Sequence, residues 1–331
     1  MFTEENVNTF KTLCRAREQS ILSVMSSFLK TKYTNVERTP AYVLAEGDIP
    51  VALVAHADTV FNNPPKTFFY DQECMVLWSP EGMGADDRAG VYAIMEIIKH
   101  SNLRPHVIIT TGEESGCIGA SKLVGHYYKF PYELKCLIQL DRHGNNDCVF
   151  YDCDNEQFEK FVESFGFVTD WGSLSDISVL APAWGVAAAN LSVGYYNEHS
   201  NTEFLRFDFL HNTIEKVKQM LTYIKEHPEM DTWKYIPMIS YTYKWFGGNA
   251  NKDFAYSCNR CGTAVSEEEI IPVKYAAWGG YTQNLCMECF AELSHKIDYC
   301  SKCGLPWLLE KPVITKEKWI CPDCRKELQN V

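Results

Sequence analysis

The chain has 331 residues, 46% hydrophobic and 13% aromatic, enough to bury one large core and leave residues for a small second domain. No stretch approaches the roughly 18 uninterrupted apolar residues of a membrane span, so we expect no membrane insertion. The net charge of −12 argues against a surface that seeks phosphates. The start, MFTEENVNTF, lacks the basic and apolar regions of a secretory signal, so we expect a cytoplasmic protein.

The predicted elements begin with a helical region at about residues 3–32, where apolar residues recur at helical spacing. Strands rich in Val, Ile and Leu then alternate with helices. The strands are predicted at 51–60, 106–112, 135–141 and 187–194, and the helices at 88–100, 120–129, 156–166 and 205–227. This alternation predicts an α/β domain over 1–227, with three layers and a mostly parallel mixed sheet covered by helices on both faces.

The remainder of the chain differs in composition. Residues 228–253 form an aromatic-rich connector that we expect to pack on a domain, with GGNANKD at 247–253 as the predicted hinge. Residues 254–331 contain eight of the fourteen cysteines and form a predicted small zinc-binding module.

The first buried strand, VALVAHADTV, is interrupted near its end by His56 and Asp58. Two positions apart on an extended chain, these side chains project to the same side. Asp58 can then accept a hydrogen bond from one imidazole nitrogen while the other nitrogen faces a metal. For these two residues taken alone, an ordinary surface or capping pair is the alternative.

Two pairs of acidic residues follow. Asp86 and Asp87 stand in the turn GMGADDRAG before a predicted helix, where one acid suffices as an N-cap and the other is free to bridge two cations. Glu113 and Glu114 end a strand in TTGEESG, and adjacent like charges there raise each other's pKa unless a cation or water accompanies them. A metal on one carboxylate and proton transfer by the other would explain the pair. Helix capping and a plain surface turn are the alternatives.

Two further polar residues follow strands: Asp141 ends the third strand, and His199 lies in the loop after the fourth. Since function collects at the strand ends of such sheets, we expect these residues to converge. The predicted ligand set comprises His56, Asp86, Glu114, Asp141 and His199. Asp58 and Glu113 are its predicted non-ligand partners. Oxygen and nitrogen ligands with one bridging carboxylate suit two Zn²⁺, or Mn²⁺ or Co²⁺, about 3.5–4 Å apart.

The order H-x-D, G-A-D-D, G-E-E-x-G, L-D and a late H-S resembles that of the di-zinc exopeptidases, which include bacterial leucyl aminopeptidase, glutamate carboxypeptidase and peptidase T. The resemblance covers roughly residues 40–225 and fills all five expected ligand positions. It implies that His56 and Asp141 hold one metal and that Glu114 and His199 hold the other. It also implies that Asp86 bridges the two metals.

The same resemblance implies further roles around the metals. Glu113 would be the general base, Asp58 would support His56, and the peptide bond after Asp86 would be cis. Ser175 and Asp176, in the segment GSLSDISVLAPAWG, would line the substrate pocket.

Tyr195 and Tyr196 are candidates for stabilising an oxyanion. Only 57 residues separate Asp141 from His199, which leaves no room for the lid domain of many carboxypeptidase-like relatives. An aspartate at position 141 also points to the aminopeptidases. The resemblance therefore favours the compact aminopeptidase-like branch.

We accordingly expect a metallopeptidase that cleaves short peptides with a water activated by two metals, as an aminopeptidase. A carboxypeptidase needs Arg or Lys to hold a carboxylate, and Arg88 and Arg142 keep that possibility open. An amidohydrolase or deacylase with the same site is also open, and so is an inactive peptidase-fold scaffold that acts through its zinc module.

The cysteines of the module form four Cys-x-x-Cys pairs, which without a secretory signal indicate metal rather than disulfides. The pairs are Cys258 and Cys261, Cys286 and Cys289, Cys300 and Cys303, and Cys321 and Cys324. Their spacing predicts two consecutive structural zinc sites in a tandem zinc-ribbon or treble-clef-like module, with a cross-braced arrangement as the alternative. Residues 252–331 carry ten basic and eleven acidic residues, so we expect a protein partner or a homo-oligomer rather than nucleic acid.

Overall fold

The computed structural model divides the chain into two units, Met1–Met238 and Ile239–Val331. In the first unit the structure describes residues 3–237. In the second it describes residues 256–258, 260–261, 263–265, 270–275, 281–293, 296–302, 305–309, 320–322 and 324–325. The predicted hinge at 247–253 lies outside the described residues.

The predicted N-terminal helical region forms two helices, α1 (Glu4–Arg15) and α2 (Glu18–Lys30). Thr3 caps α1, because its hydroxyl accepts the backbone N–H of Asn6 and the Asn6 side chain accepts the backbone N–H of Thr3. The break comes at Ala16, whose extended backbone (φ −81°, ψ 140°) ends α1. Most apolar positions of the two helices are buried, whereas Val24 is exposed: the buried ones are Val7, Phe10, Leu13, Ile21, Leu22, Met25 and Leu29.

Twelve strands form two sheets in the described part of the first unit. They are β1 (Val36–Arg38), β2 (Tyr42–Ala45), β3 (Ile49–His56), β4 (Phe69–Asp71), β5 (Val76–Trp78), β6 (Pro105–Thr110), β7 (Cys136–Arg142), β8 (Asp147–Val149), β9 (Val168–Thr169), β10 (Ala188–Ser192), β11 (Tyr195–Tyr196) and β12 (Phe204–Arg206). The helices that follow α2 in this unit are α3 (Ala85–Lys99), α4 (Ile118–His126), α5 (Glu156–Glu163), α6 (Asp176–Trp184) and α7 (Phe207–Glu226).

The larger sheet has the strand order β1-β2-β6-β3-β7-β10-β8-β9. Its four central strands, β6, β3, β7 and β10, run parallel, whereas β2 and β8 pair antiparallel with their central neighbours. The carboxyl ends of β3, β6 and β7 therefore meet at one edge of the sheet. The predicted mostly parallel mixed sheet is confirmed.

Helices cover both faces of this sheet. On β3, Val51, Leu53 and Ala55 join the buried cluster formed with α1, α2, α3, α5 and α7. The alternating residues Ala52 and Val54 join a second cluster with α4 and α6. Because successive side chains on a strand point to opposite faces, the two clusters lie on the two sides of the sheet. The predicted three-layer architecture is confirmed.

The smaller sheet has the strand order β11-β12-β5-β4. Its strands are close in sequence to residues of the candidate site. Its antiparallel β11–β12 hairpin carries the loop that contains His199. Strand β5 precedes the turn at Gly84 that opens α3. The short strands of this sheet, as well as helix α6, were not among the predicted elements. Helix α6 is apolar on most sides and contains Pro182, so it lacks a helical pattern in the sequence.

The start of the predicted connector packs on the first unit. Trp233 is buried, and its ring lies 5.3 Å from that of Phe158 and 4.7 Å from that of Phe161. Its backbone N–H donates to the carbonyl of Lys135 at 3.0 Å. The remaining connector residues, 238–253, lie outside the described residues, so the predicted domain limits stay a prediction.

The described part of the second unit is built from short strands and one helix. They are β13 (Tyr256–Ser257), β14 (Ala264–Val265), β15 (Ile270–Tyr275), β16 (Tyr281–Cys286), α8 (Met287–Leu293), β17 (Ile297–Tyr299) and β18 (Pro306–Leu308). Strands β13 and β14 form a hairpin, and the others form a sheet in the order β16-β15-β18-β17.

Across the described residues of both units, no helix has the length and apolar character that crossing a membrane requires. The cytoplasmic location stays a prediction.

Candidate metal centre

His56 ends β3 and is fully buried at the carboxyl edge of the sheet. Its Nδ1 lies 3.3 Å from Oδ1 of Asp58. Its Nε2 points the other way and lies 3.1 Å from Oδ1 of Asp86 and 3.4 Å from Oδ1 of Asp141. The imidazole therefore turns one nitrogen toward Asp58 and the other toward two predicted ligands, an orientation that fits a metal-binding histidine.

Asp86 lies between the two histidines. Its Oδ1 contacts His56, and its Oδ2 lies 3.2 Å from Nε2 of His199. The turn before it needs Gly84, which has φ +67° and where a Cβ would come within 2.8 Å of the Thr59 side chain. The peptide bond between Asp86 and Asp87 is cis, as the resemblance implies.

The loop after β6 brings Glu113 and Glu114 to the same edge. Oε1 of Glu114 lies 3.0 Å from Nε2 of His199. The backbone N–H groups of Glu113 and Glu114 donate to the two carboxylate oxygens of Asp58 at 3.2 and 3.1 Å. Asp58 therefore supports both His56 and the loop that carries the two glutamates.

All five predicted ligands converge in two groups that share Asp86. One group is His56, Asp86 and Asp141, and the other is Asp86, Glu114 and His199. Within each group one ligand atom per residue lies within 4.8 Å of the others. Imidazole nitrogens and carboxylate oxygens are donors that divalent cations accept. A cavity of about 300 Å³ opens beside both groups, and Glu113 contributes to its wall.

The crowding of carboxylates shifts their protonation. Burial and the charge of Asp141 raise the pKa of Glu113 to about 9. Burial raises the pKa of Asp141 to about 7, although the charge of His56 acts in the opposite direction. Burial also acts on Asp86, but hydrogen bonds from His199 and His56 outweigh it and lower the pKa of Asp86. Positive charge at this site would favour the ionised carboxylates, so the donor set fits divalent metal ions.

Two buried carboxylates of the site have supporting contacts that the sequence analysis did not assign. Asp87 is fully buried, and its carboxylate accepts the backbone N–H of His56 at 3.1 Å and of Gly90 at 2.8 Å. Glu203 is also fully buried and accepts N–H groups of the turn before α3. Asp87 could have been found from the sequence, because it stands at a helix-capping position. Glu203 has no such signal in the sequence beyond its closeness to His199.

The predicted pocket residues lie beneath the cavity wall. Ser175 is buried, and its hydroxyl lies 3.4 Å from Oδ2 of Asp141. Asp176 is fully buried and accepts a hydrogen bond from the Thr110 hydroxyl. The neighbouring Leu174 lines the cavity. The roles of Ser175 and Asp176 in substrate binding stay a prediction.

The two candidate tyrosines differ in position. Tyr195 lines the cavity, and its hydroxyl donates to Oδ1 of Asp141 at 3.3 Å. Tyr196 stacks on Phe204 across the small sheet, with ring centroids 5.1 Å apart. Of the two, Tyr195 is therefore the one that lies at the site.

Both arginines beside the ligands already have partners. Arg88 is 3% exposed, and its guanidinium donates to the carbonyls of Leu13, Ala16 and Ala57. It thus ties the break between α1 and α2 to the end of β3.

Arg142, the second of these arginines, lines the cavity. One guanidinium nitrogen lies 2.7 Å from Oδ2 of Asp170 and donates to the Trp171 carbonyl at 3.0 Å. Its charge is therefore already matched by a carboxylate of the chain.

The described cysteines of the second unit group as consecutive pairs. Cys258, Cys261, Cys286 and Cys289 form one cluster, and Cys300, Cys321 and Cys324 form another. Cys303 lies outside the described residues. This grouping fits two consecutive sites rather than the cross-braced arrangement, and four thiolates suit a closed structural zinc site.

A protein-family profile, Peptidase family M28, matches residues 42–166. That range contains His56, Asp86, Glu114 and Asp141, whereas His199 follows it. No curated protein sequence matches the chain.

Several solved peptidase structures share the fold. A tripeptidase from Staphylococcus aureus has a TM-score of 0.54 at 15% identity, covering 68% of this chain and 100% of that one. A TET aminopeptidase from a marine-sediment thaumarchaeon scores 0.53 at 13% identity, covering 67% and 100%. The aminopeptidase PepT of Bacillus cereus scores 0.51 at 16% identity, covering 67% and 98%. The predicted exopeptidase-like fold is confirmed, and so is the resemblance to the zinc exopeptidases.

We expect Arg88→Met to lower the free energy of unfolding by about 3 kcal/mol, because it leaves buried carbonyls without their charged donor. Urea unfolding followed by circular dichroism measures this loss. Arg38→Met, on an exposed strand position, is the matched control and should stay within about 0.5 kcal/mol of the wild type. If Arg88→Met is as stable as the wild type but has a raised KM for peptides, Arg88 is instead a substrate ligand.

Proposed function

We propose that the first unit is a two-metal aminopeptidase that acts on the free amino end of short peptides. One observation carries the proposal: the two oxygens of Asp86 face different histidines, His56 at 3.1 Å and His199 at 3.2 Å. A carboxylate placed in this way can bridge two cations. The matching peptidase family profile, and the aminopeptidases and tripeptidase with the same fold, support hydrolysis of peptides.

Each metal would have its own pair of ligands besides Asp86. His56 and Asp141 would hold one, and Glu114 and His199 the other. When bound, two divalent cations polarise the scissile carbonyl and lower the pKa of the attacking water. We propose Zn²⁺ at both positions, with Mn²⁺ or Co²⁺ also suited to these donors.

Glu113 would transfer the proton. It lies on the wall of the cavity beside the proposed ligands, and its Oε1 lies 4.0 Å from Sγ of Cys117. Its carboxylate would accept a proton from the attacking water and return it to the leaving amine. Divalent cations held by the neighbouring ligands would lower the pKa of Glu113 from the raised value that burial imposes. Glu113 could then act as a base at neutral pH.

Charge around the cavity favours the amino end of a substrate. A carboxypeptidase needs a free cation for the terminal carboxylate, but Arg88 and Arg142 are held by other groups of the chain. Glu198 adds a carboxylate to the cavity wall next to His199, where it pairs with His143 at 2.7 Å. A terminal ammonium would bind Glu198 on this wall by taking the place of His143.

We propose that the second unit binds two structural zinc ions through its eight cysteines, in a tandem zinc-ribbon module. The described thiols already form two clusters, with the Sγ atoms of Cys261 and Cys286 3.7 Å apart. A protein partner or a second copy of the chain would bind this module.

Native mass spectrometry of zinc-replete protein should give four zinc ions per chain. Asp86→Ala should retain two, because both catalytic positions depend on that carboxylate. His143→Ala, a histidine of the same cavity outside the predicted ligand set, should retain four. Two zinc ions in the wild type would confine metal to the cysteines and overturn the two-metal proposal.

Glu113→Gln should lower kcat for a short peptide by about 100- to 10,000-fold, the usual contribution of a general base. The variant should keep four zinc ions, since Glu113 is not a proposed ligand. Steady-state hydrolysis combined with the zinc count separates the two effects. Near-normal kcat in this variant would remove Glu113 from the reaction.

Blocking the substrate's amino end tests the end specificity. N-acetylation of a short peptide should reduce kcat/KM by about 100-fold or more, because it removes the ammonium charge that would pair with a carboxylate of the cavity wall. Amidation of the carboxyl end of the same peptide is the matched control and should change kcat/KM little. The opposite pattern would indicate a carboxypeptidase, and preference for acylated substrates a deacylase.

A further inference from the structure

Glu203 is a buried carboxylate that no step of the proposed reaction uses. It lies in the loop between β11 and β12, four residues after His199, and is fully buried. Its Oε2 accepts the backbone N–H of Met83 at 3.0 Å and of Gly84 at 2.5 Å. Its Oε1 accepts the backbone N–H of Asp86 at 3.2 Å.

Placing a carboxylate here costs free energy, since burial removes it from water. The charge of Asp86 adds repulsion, because both groups are negative. An N-cap hydroxyl or amide would satisfy a helix turn at lower cost, as Ser and Asn do elsewhere. A carboxylate instead offers two oxygens to three N–H groups of one turn. These hydrogen bonds hold the whole turn at a fixed distance from the loop that carries Glu203.

The two segments that Glu203 joins carry two of the three ligands of one proposed metal position, Asp86 and His199. The turn at 83–86 presents Asp86, and the loop of Glu203 presents His199, whose Nε2 lies 3.2 Å from Oδ2 of Asp86. His199 is the more exposed of the two histidines, with 49% of its side chain accessible, and its contacts at the site are with Asp86 and Glu114. Its backbone has φ +62°, a conformation that the loop must hold.

Similar links join other ligand-bearing segments. Asp58, after β3, holds the loop of Glu114 through backbone N–H groups. Asp87, at the start of α3, holds the backbone of His56. Glu203 adds the corresponding link between the small sheet and the turn of Asp86.

We propose that Glu203 is a positioning residue that sets the orientation of the bridging Asp86 and its spacing from His199, and thereby the affinity for both catalytic metals. The inference rests on the proposed function, because it assumes metals at Asp86. Glu203 would act through the backbone of Asp86 and would not itself touch metal or substrate.

The test is zinc binding by the full chain, measured by native mass spectrometry in buffers of fixed free zinc. In Glu203→Gln, the amide nitrogen replaces one accepting oxygen and faces a backbone donor. We expect the two cysteine-bound zinc ions to remain, while the dissociation constants of the other two rise by about 10- to 100-fold, as for other supporting residues of metal sites. Glu203→Asp keeps the charge with a shorter reach and should lie between wild type and Glu203→Gln.

Asp208→Asn is the matched control. Asp208 lies five residues further along and pairs with Arg206 at 2.6 Å, so its neutralisation removes the same charge from the same region without touching the turn. Its zinc affinity should equal that of the wild type. A loss of the same size in Asp208→Asn would assign the effect to net charge and overturn the positioning role.

Thermal unfolding of protein that carries zinc only at the cysteines tests the alternative explanation. It shows whether Glu203→Gln weakens zinc binding by misplacing Asp86 or by destabilising the whole fold. In Glu203→Gln, the lost hydrogen bond and the relieved repulsion with Asp86 oppose each other, so the midpoint should change by no more than about 4 °C. A larger fall that accounts for the loss of zinc would overturn the proposal. If Glu203→Gln does not fold, Glu203→Asp is measured in the same way and decides.

Two outcomes separate this inference from the proposed function. Wild-type protein that binds only two zinc ions would overturn the metal centre and the role of Glu203 with it. Wild-type protein with four zinc ions and a Glu203→Gln variant of equal affinity would overturn the role of Glu203 alone.

Discussion

Repulsion between carboxylates is the constraint that shapes the first unit. Asp86, Glu113, Glu114 and Asp141 converge on one cavity, and the fully buried Glu203 lies directly behind it. Such a group is stable only if each negative charge meets a donor or a cation. Asp58, Asp87 and Glu203, which are not proposed ligands, accept backbone N–H groups. The proposed ligands Asp86 and Glu114 face imidazoles instead. Positive charge is therefore lacking at Glu113 and Asp141, where burial and neighbouring carboxylates raise the pKa.

The sheet topology brings these groups together. Parallel strands β6, β3 and β7 end at the same edge, so residues far apart in sequence become neighbours there. The proposed ligand His199 does not come from this sheet but from a hairpin of the small one, and Glu203 in the same hairpin accepts a backbone N–H from the turn of Asp86. The small sheet thus completes a site that the large sheet begins. A metal position built from both sheets depends on the backbone contacts between them.

Three of the proposed ligands, His56, Glu114 and Asp141, could be predicted because they stand at or just after the ends of hydrophobic runs, where a polar residue stands out. His56 is such a residue, and its partner Asp58 follows by two positions. Glu203 could not be predicted in this way, because its backbone partners lie 117 to 120 residues earlier in the chain. Such a carboxylate has no local signature, since any backbone N–H can be its partner. Helix α6 was missed for a different reason. Its sequence is apolar on most sides and contains Pro182, so no periodic pattern marks it as a helix, and only tertiary contacts show which side is buried.

The pairing of charged side chains around the cavity also affects which end of a peptide the site can hold. Sequence alone left Arg88 and Arg142 as possible ligands for a substrate carboxylate, because adjacency to Asp87 and Asp141 says nothing about where a long side chain goes. In the folded chain Arg88 holds the helix break near Leu13, and Arg142 is paired with a carboxylate of the chain. Positive charge near the cavity is thus used to hold the scaffold, whereas negative charge lines the wall. A substrate approaching this wall would be held by its ammonium end, with the scissile carbonyl beside the metal ligands.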